Sequence, residues 1–528
     1  MPLLPETDPS GPDVPQEKRM TRVKTNFFAN LAGSGWSAIV GLACTPLYIR
    51  FIGIEAYGLI GFYFMLQGVI QILDLGLTPT VNREMARYSV LPDKSGEARD
   101  FIRTLEVGYW AIGILIGCAV WYAAPYISLH WIKAGNISPL EVRRAVTIMG
   151  ILTALQWPLT FYQGGLLGLQ RQVLLNGITI GTATLSGGGA LLVLWLVSPT
   201  ISAFFTWQIA VSLLQAGVTT FALWRCLPGP SHAARFNPGI TRGIWRFAAG
   251  MSGITITALV LTQLDKVILS KMLTLKTFGY YVLAGVVGNG LSGVLITPMF
   301  NTIFPRFSSL VAAGDEKGLL AMYHGSTQVM AVMILPAAIV IALFSREIML
   351  LWTGNPEVAS NSASIVSILV AGTALNGLMN LPYALQLSHG WTRIGLAINA
   401  FFIVTLVPAI VLMTRHYGAA GAASVWLGLN GIYMIIGVPL THRRLLKGEA
   451  FRWFTKDVGI PLAGSLVIAG VARWIFPAFE SPSRLIPVSL LLLVFVLTIS
   501  GAALCTPATR DFIFHTILNR KPLMERRS

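Results

Sequence analysis

The chain has 528 residues, of which 54% are hydrophobic and 11% charged, and its mean hydropathy is +0.67; soluble domains carry about 25% charged residues. That composition excludes an ordinary water-soluble fold and predicts an all-α membrane protein of about 14 transmembrane helices. The net charge of +16 does not indicate nucleic acid, because the basic residues are placed as topological anchors.

Residues 1–21 hold Pro2, Pro5, Pro9, Pro12 and Pro15 with mixed charges and no apolar stretch. They are expected to form a disordered cytoplasmic tail, not a signal peptide. Fourteen apolar spans follow, at about 26–49, 57–78, 105–128, 146–168, 173–197, 201–224, 245–265, 279–303, 326–345, 363–387, 394–414, 418–440, 458–478 and 485–505. From Gln172 to Trp224 there is no charged residue. As one helix this run would reach about 80 Å, against about 30 Å of hydrocarbon, so it is expected to break near Ser198-Pro199-Thr200. With the N-terminus inside, 27 of the 38 Lys and Arg fall on inner segments and 11 on outer ones. The inner clusters Arg83/Arg87/Lys94/Arg99/Arg103 and Arg443/Arg444/Lys447/Arg452/Lys456 predict a multi-pass protein with both termini cytoplasmic, in contact with anionic membrane lipids.

The second span has a counterpart half a chain later. Aligning YGLIGF (Tyr57 to Phe62) with FGYYVL (Phe278 to Leu283) sets Gly58 on Gly279, an offset of 221. Aligning LGLQRQ (Leu167 to Gln172) with SHGWTRIG (Ser388 to Gly395) sets Gly168 on Gly390 and Arg171 on Arg393, an offset of 222. Two distant regions agreeing within one residue argue for a duplicated half, and the six spans between copies make the repeat parallel. The expected organisation is an N-lobe over 22–226 (spans 1–6), a C-lobe over 227–442 (spans 7–12), accessory spans 13 and 14 over 443–505, and a basic cytoplasmic tail over 506–528.

Within the spans, polar residues recur at helical spacing. Gln67, Gln71 and Asp74 are four and then three residues apart, which places them on one face of a continuous second helix. The first span carries Asn30, Ser34 and Ser37, the fourth Gln156, Thr160 and Gln163, the tenth Asn376, Asn380 and Tyr383, and the seventh Thr255, Thr262 and Asp265. Singly such residues are interhelical glue; on matching helices of two lobes they favour a hydrated cavity. Pro46, Pro79, Pro158, Pro298, Pro305 and Pro382 sit beside these stripes and suit helices that bend.

Charges within spans are functional hypotheses by default. Asp74 has Arg83 and Arg87 as expected neighbours, and those arginines, one turn apart, either receive a diphosphate or anchor at the interface. Asp265 and Lys266 are adjacent and therefore about 100° apart, so they are expected to seek different partners. Asp265 fits either ion or proton coupling or structural pairing. The chain has no phosphate-binding glycine loop with its lysine and no His/Cys/carboxylate cluster at metal spacing, and Cys44, Cys118, Cys226 and Cys505 form no paired framework. The expectation is a protein that is not an enzyme, with no catalytic residue, metal or cofactor. His389 is expected to be a turn residue.

The Asn-bearing first helix, Pro46 and Arg50 before IEAYGLIGF, and LDLGL followed by Arg83 resemble the polysaccharide (O-antigen repeat-unit) flippases of the multidrug/oligosaccharidyl-lipid/polysaccharide exporter superfamily. So do QLDKVILSKMLTLKTFGYYVLAG and LPAAIVIALFSREIMLLWTG, and the resemblance spans most of residues 22–440. It implies two six-helix lobes around a cavity open to one side at a time. It implies translocation of an undecaprenyl-diphosphate-linked oligosaccharide across a bacterial inner membrane for surface polysaccharide synthesis, alongside polysaccharide assembly proteins. It further implies an ion gradient or membrane potential as driving force, with Asp74 and Asp265 as coupling candidates. The alternatives are a cation-coupled multidrug-type exporter and a lipid II flippase. A membrane glycan polymerase or ligase is disfavoured by the short outer loops.

Overall fold

The computed structural model describes residues 16–89, 91, 95–227, 234–237, 239, 260, 262–391, 393–476 and 485–513. In lipid every backbone N–H and C=O must be satisfied within its own segment, so the apolar runs fold as helices. Among the described residues the elements are α1 (Gln16–Ile70), α2 (Leu77–Tyr88), α3 (Ser95–Tyr126), α4 (Pro139–Gly168), α5 (Gln172–Leu196), α6 (Ile201–Cys226), a helical segment at 262–272, α7 (Leu275–Ala313), α8 (Glu316–Leu343), α9 (Ser345–Thr353), α10 (Pro356–Ser388), α11 (Arg393–Leu445), α12 (Ala450–Ile475), α13 (Leu485–Cys505) and α14 (Pro507–Ile513). The predicted break at Ser198-Pro199-Thr200 separates α5 from α6, and Thr200 caps α6 by accepting the Ala203 N–H. Helix α1 begins inside the predicted tail, whose residues 1–15 lie outside the described set.

Eleven helices among the described residues are long and apolar enough to cross a membrane. Two of them reverse direction. In α1 the backbone leaves helical geometry at Gly53 (φ 80°, ψ 164°), and the Tyr57 side chain comes within interaction range of Thr45, twelve residues back and about 18 Å away in a straight helix. In α11 the break is Gly418 (φ 57°, ψ −140°), and Gly421 packs against Met413 O. Each therefore accounts for two predicted spans; the seventh, at 245–265, lies mostly outside the described residues. Leu115, Val404 and Ile435 are 69%, 74% and 66% exposed, a surface suited to lipid and not to water. Tyr122, Trp195 and Trp474, near helix ends, are also exposed, as in an interfacial aromatic belt. The chain is a multi-pass membrane protein.

It divides into two compact units, Met1–Gly279 and Tyr280–Ser528. The order of elements repeats: α2, α3, α4 and α5 each recur within a few residues of where an offset of 221 places them, as the second part of α7, α8, α10 and the first part of α11. Inside unit 1 the second span crosses the start of α7 with the same symmetry. A Cβ on Gly58 would run into Leu275 O, and one on Gly279 would lie 2.5 Å from Ile54 O, so both glycines are required by one close crossing.

The second aligned region is the turn between α4 and α5 and its counterpart between α10 and α11. In each, two backbone bonds form a Schellman cap. Gln170 N–H reaches Leu167 O and Arg171 N–H reaches Leu166 O; Gly390 N–H reaches Leu387 O and Trp391 N–H reaches Gln386 O. The structural offset is thus 220, which corrects the 222 obtained by matching Gly168 to Gly390. The left-handed slot in the first copy is Gln170 (φ 54°). Gly168 serves a different need, since a Cβ there would strike Asn82 O and Met85 of α2.

Unit 2 also holds the accessory pair α12–α13. It packs on α8 through an apolar seam of Val332, Ala502 and Ala503, then Val340, Phe344, Ala469 and Val494.

Candidate functional site

In unit 1 the expected continuous face through Gln67, Gln71 and Asp74 is interrupted. The α-helix stops at Ile70, Gln71–Asp74 form a tighter 3-10 turn, and Leu75 and Gly76 take left-handed φ of 47° and 78° before α2 begins. Two consecutive left-handed residues cannot continue a right-handed helix. Asp74 Oδ1 accepts the Thr78 hydroxyl at 2.8 Å and the Tyr109 hydroxyl at 3.0 Å, and Oδ2 accepts the Thr78 N–H at 3.2 Å. Its carboxylate ties the new helix start to α3, in place of the neighbours Arg83 and Arg87 expected from sequence. Those arginines lie on α2 with side chains 56% and 63% exposed and meet Glu84 at 2.7 and 3.7 Å. The equivalent place in α7 is also irregular: Ser292–Ile296 form a π-turn.

The other stripe residues bridge helices. Gln67 Nε2 donates to Tyr63 Oη at 3.0 Å and to Thr153 Oγ1 of α4 at 3.2 Å. Gln156 Nε2 reaches Ser212 of α6 at 3.3 Å, and the Asn30 side-chain oxygen accepts from Asn176 of α5 at 2.6 Å. Gln163 is half-buried and Gln71 exposed. In unit 2, Asn376 donates to Asn430 of α11 at 3.0 Å, and Asn380 donates back to Asn376 O at 2.9 Å. Lys266 Nζ lies 3.4 Å from Asp265 Oδ1 and 2.6 Å from Thr262 O, which corrects the expectation that the two adjacent charges diverge. Four rotatable bonds let the lysine stem fold back over the 100° between them. His389 closes the α10–α11 turn as expected, with Nδ1 2.9 Å from Leu385 O.

Several buried charges were not singled out from sequence. Glu106 on α3 is 6% exposed. It takes the Tyr162 hydroxyl at 2.8 Å, the Trp224 indole N–H at 3.2 Å and Arg103 at 2.8 Å. Trp110 donates to the same tyrosine oxygen at 2.9 Å. Glu55 receives the backbone N–H groups of Gly135 and Asn136 and so pins the loop after α3. In unit 2, Arg473 of α12 meets Glu347 of α9 at 2.6 Å and lies over the Phe344 ring at 5.2 Å. At the other end of the same seam His324, Asp457 and Glu449 converge. The only sequence signal was spacing: His324 and Gln328 share a face of α8, as do Trp453 and Asp457 of α12. An open pocket of about 300 Å³ in unit 1 is lined by Leu140, Arg143, Arg144, Thr147, Ile148 and Ser202.

A chain of repeated helical units, with glycine crossings, paired polar side chains and helices interrupted at matching positions, has the architecture of a membrane transporter. The chain belongs to the polysaccharide biosynthesis protein family, whose family model matches residues 23–311. It is 22% identical over 411 residues to a candidate O-antigen transporter of Shigella flexneri, covering 77% of this chain and 94% of that protein. Its fold is similar to that of the lipid II flippase MurJ in an inward closed conformation, with a TM-score of 0.68 and 15% identity over 92% of this chain and 100% of that one. It is also similar to an inward-facing multidrug resistance MATE transporter of the MOP superfamily, with a TM-score of 0.59 and 12% identity over 78% of this chain and 94% of that one.

Proposed function

We propose that this protein is a flippase that moves an undecaprenyl-diphosphate-linked oligosaccharide from the cytoplasmic to the periplasmic leaflet of a bacterial inner membrane. The observation that carries the reading is family membership together with similarity over nearly the whole length of a candidate O-antigen transporter. The physical features agree with it. Alternating access needs helices that bend at defined places, and the second span and α7 are interrupted at equivalent positions by a 3-10 and a π-turn. The 27 to 11 distribution of basic residues supports cytoplasmic termini. The proposed driving force is an ion gradient or the membrane potential. Arg83 and Arg87, exposed on α2, are the proposed contacts for a diphosphate entering from the cytoplasmic side, and Asp265 with Lys266 is the proposed coupling pair. The polar stripes Asn30, Gln67, Gln71, Gln156, Gln163, Asn376 and Asn380 are the proposed walls for the sugars.

The test is the leaflet location of lipid-linked oligosaccharide in cells lacking this protein and its redundant relatives. Wild type should clear a cytoplasmic-leaflet accumulation, and a normally expressed Asp265→Ala should not. Translocation that proceeds unchanged without the protein would overturn the reading in favour of small-molecule export.

A further inference from the structure

The seam between α8 and the accessory pair ends in a buried ionic cluster that the proposed function leaves without a role. His324 is 2% exposed and Asp457 fully buried. His324 Nδ1 contacts Asp457 Oδ2, and its Nε2 lies 3.1 Å from Glu449 Oε2, an ion-pair approach and not an aligned hydrogen bond. Gln328 Nε2 donates to the second Asp457 oxygen at 2.8 Å, and its own oxygen accepts the Ala508 N–H of α14 at 3.0 Å. One imidazole therefore stands between two carboxylates.

A neutral imidazole has one N–H and one lone pair, and an ionised carboxylate only accepts. With one proton, the ring turns a lone pair toward one of the two carboxylates. With two, both faces attract. The surrounding charges agree: Arg452 lies 3.8 Å from Glu449, so a doubly protonated ring and Arg452 balance the two carboxylates. From α8 itself Tyr323 faces the cluster, from α11 His442, whose ring is 5.5 Å from Tyr323, and from α12 Trp453, 6.4 Å from His442. Tyr323 Oη, His442 Nε2 and Trp453 Nε1 are buried without a protein hydrogen-bond partner. Phe307 of α7 packs with its ring 6.1 Å from that of Tyr323. The nearby bases Arg443, Arg444 and Lys456 are exposed, and Arg444 lies over Trp391 at 4.6 Å. Glu449, with a quarter of its side chain exposed, is the member of the cluster that reaches solvent.

We propose that His324, Asp457 and Glu449 form a proton-binding latch: the doubly protonated ring holds the segment 449–459 on α8, and release of one proton to water through Glu449 frees that segment and loosens the accessory pair. The latched state binds one more proton than the released one, so raising the pH favours release, by up to about tenfold in the opening equilibrium per pH unit.

Hydrogen exchange of the full chain in lipid nanodiscs tests this between about pH 5.5 and pH 8.5, with exchange times scaled for intrinsic base catalysis. In wild type, peptides over 446–460 should lose protection at least about tenfold on raising the pH, while α5–α6 peptides hold theirs. His324→Gln, which cannot carry the second proton, should remove the pH dependence. Glu449→Gln keeps the ring and the buried Asp457 and should reduce it, which guards against a His324 variant that fails to fold. Equal protection of 446–460 at both pH values in wild type, or an unchanged pH dependence in folded His324→Gln, overturns the latch. The readout needs no substrate, so its failure leaves the flippase reading standing, and loss of flipping leaves the latch standing.

Discussion

Glu106 shows what a single carboxylate does in this membrane fold. It accepts from Tyr162, Trp224 and Arg103, so one acceptor from α3 satisfies donors on α4 and α6. Removing it strands the tyrosine and tryptophan donors, at about 1–3 kcal/mol each when no substitute forms. Glu106→Gln keeps an acceptor oxygen in the same shape and should cost about 1 kcal/mol, whereas Glu106→Leu should cost about 3 kcal/mol. Thermal unfolding in detergent should therefore rank wild type, then Gln, then Leu; equal losses for both would mean that charge alone matters. The sequence displayed Glu106 as a carboxylate at the edge of a span and nothing more, because its partners lie 56 and 118 residues away. Asp74 was legible as an unusual intramembrane charge, yet its partners Thr78 and Tyr109 were not, since they depend on a 3-10 turn that helical periodicity does not encode.

The turns between helices carry the duplication more faithfully than the residues that fill them. The α4–α5 and α10–α11 turns share one pair of backbone bonds and one left-handed position, occupied by Gln170 in the first and Gly390 in the second. A left-handed conformation costs an L-residue about 1–2 kcal/mol, part of which glycine returns as entropy lost on folding. Gln170 is exposed, so Gln170→Gly should stabilise by about 0.5 kcal/mol. Gly390 has open space where a Cβ would sit, so Gly390→Ala should destabilise by about 1 kcal/mol through backbone strain alone. Opposite shifts of melting temperature are expected; shifts of the same sign would break the equivalence of the turns. This is also why sequence alignment was off by two there: it matched glycine to glycine, but Gly168 is needed for contact with α2. At Gly58 and Gly279 the matched glycines do the same job, and there the alignment was correct.

The number of membrane passes follows from where the long helices reverse. The membrane-length part of α11, Ala400–Leu445 at 46 residues, would extend about 70 Å if straight, more than twice the hydrocarbon core, and the contact of Gly421 with Met413 O requires a reversal. Apolar run lengths therefore made the helical hairpins legible, while the packing of the accessory pair on α8 was not, because its ionic ends join residues more than a hundred positions apart. Between the α5–α6 turn and the α11–α12 turn the chain makes seven passes if α11 counts twice and the seventh predicted span crosses; seven is odd, so the two turns lie on opposite sides. If either condition failed, the number would be even and the turns would share a side. In a background with Cys44, Cys118, Cys226 and Cys505 replaced, Pro199→Cys should react with a membrane-impermeant maleimide in intact spheroplasts, and Lys447→Cys should react only after permeabilisation. Both positions are exposed, so access is set by the membrane and not by packing. Labelling of both from the same side would refute the pass count, and the reverse pattern would place the larger share of basic residues outside, against the charge asymmetry that orients such chains.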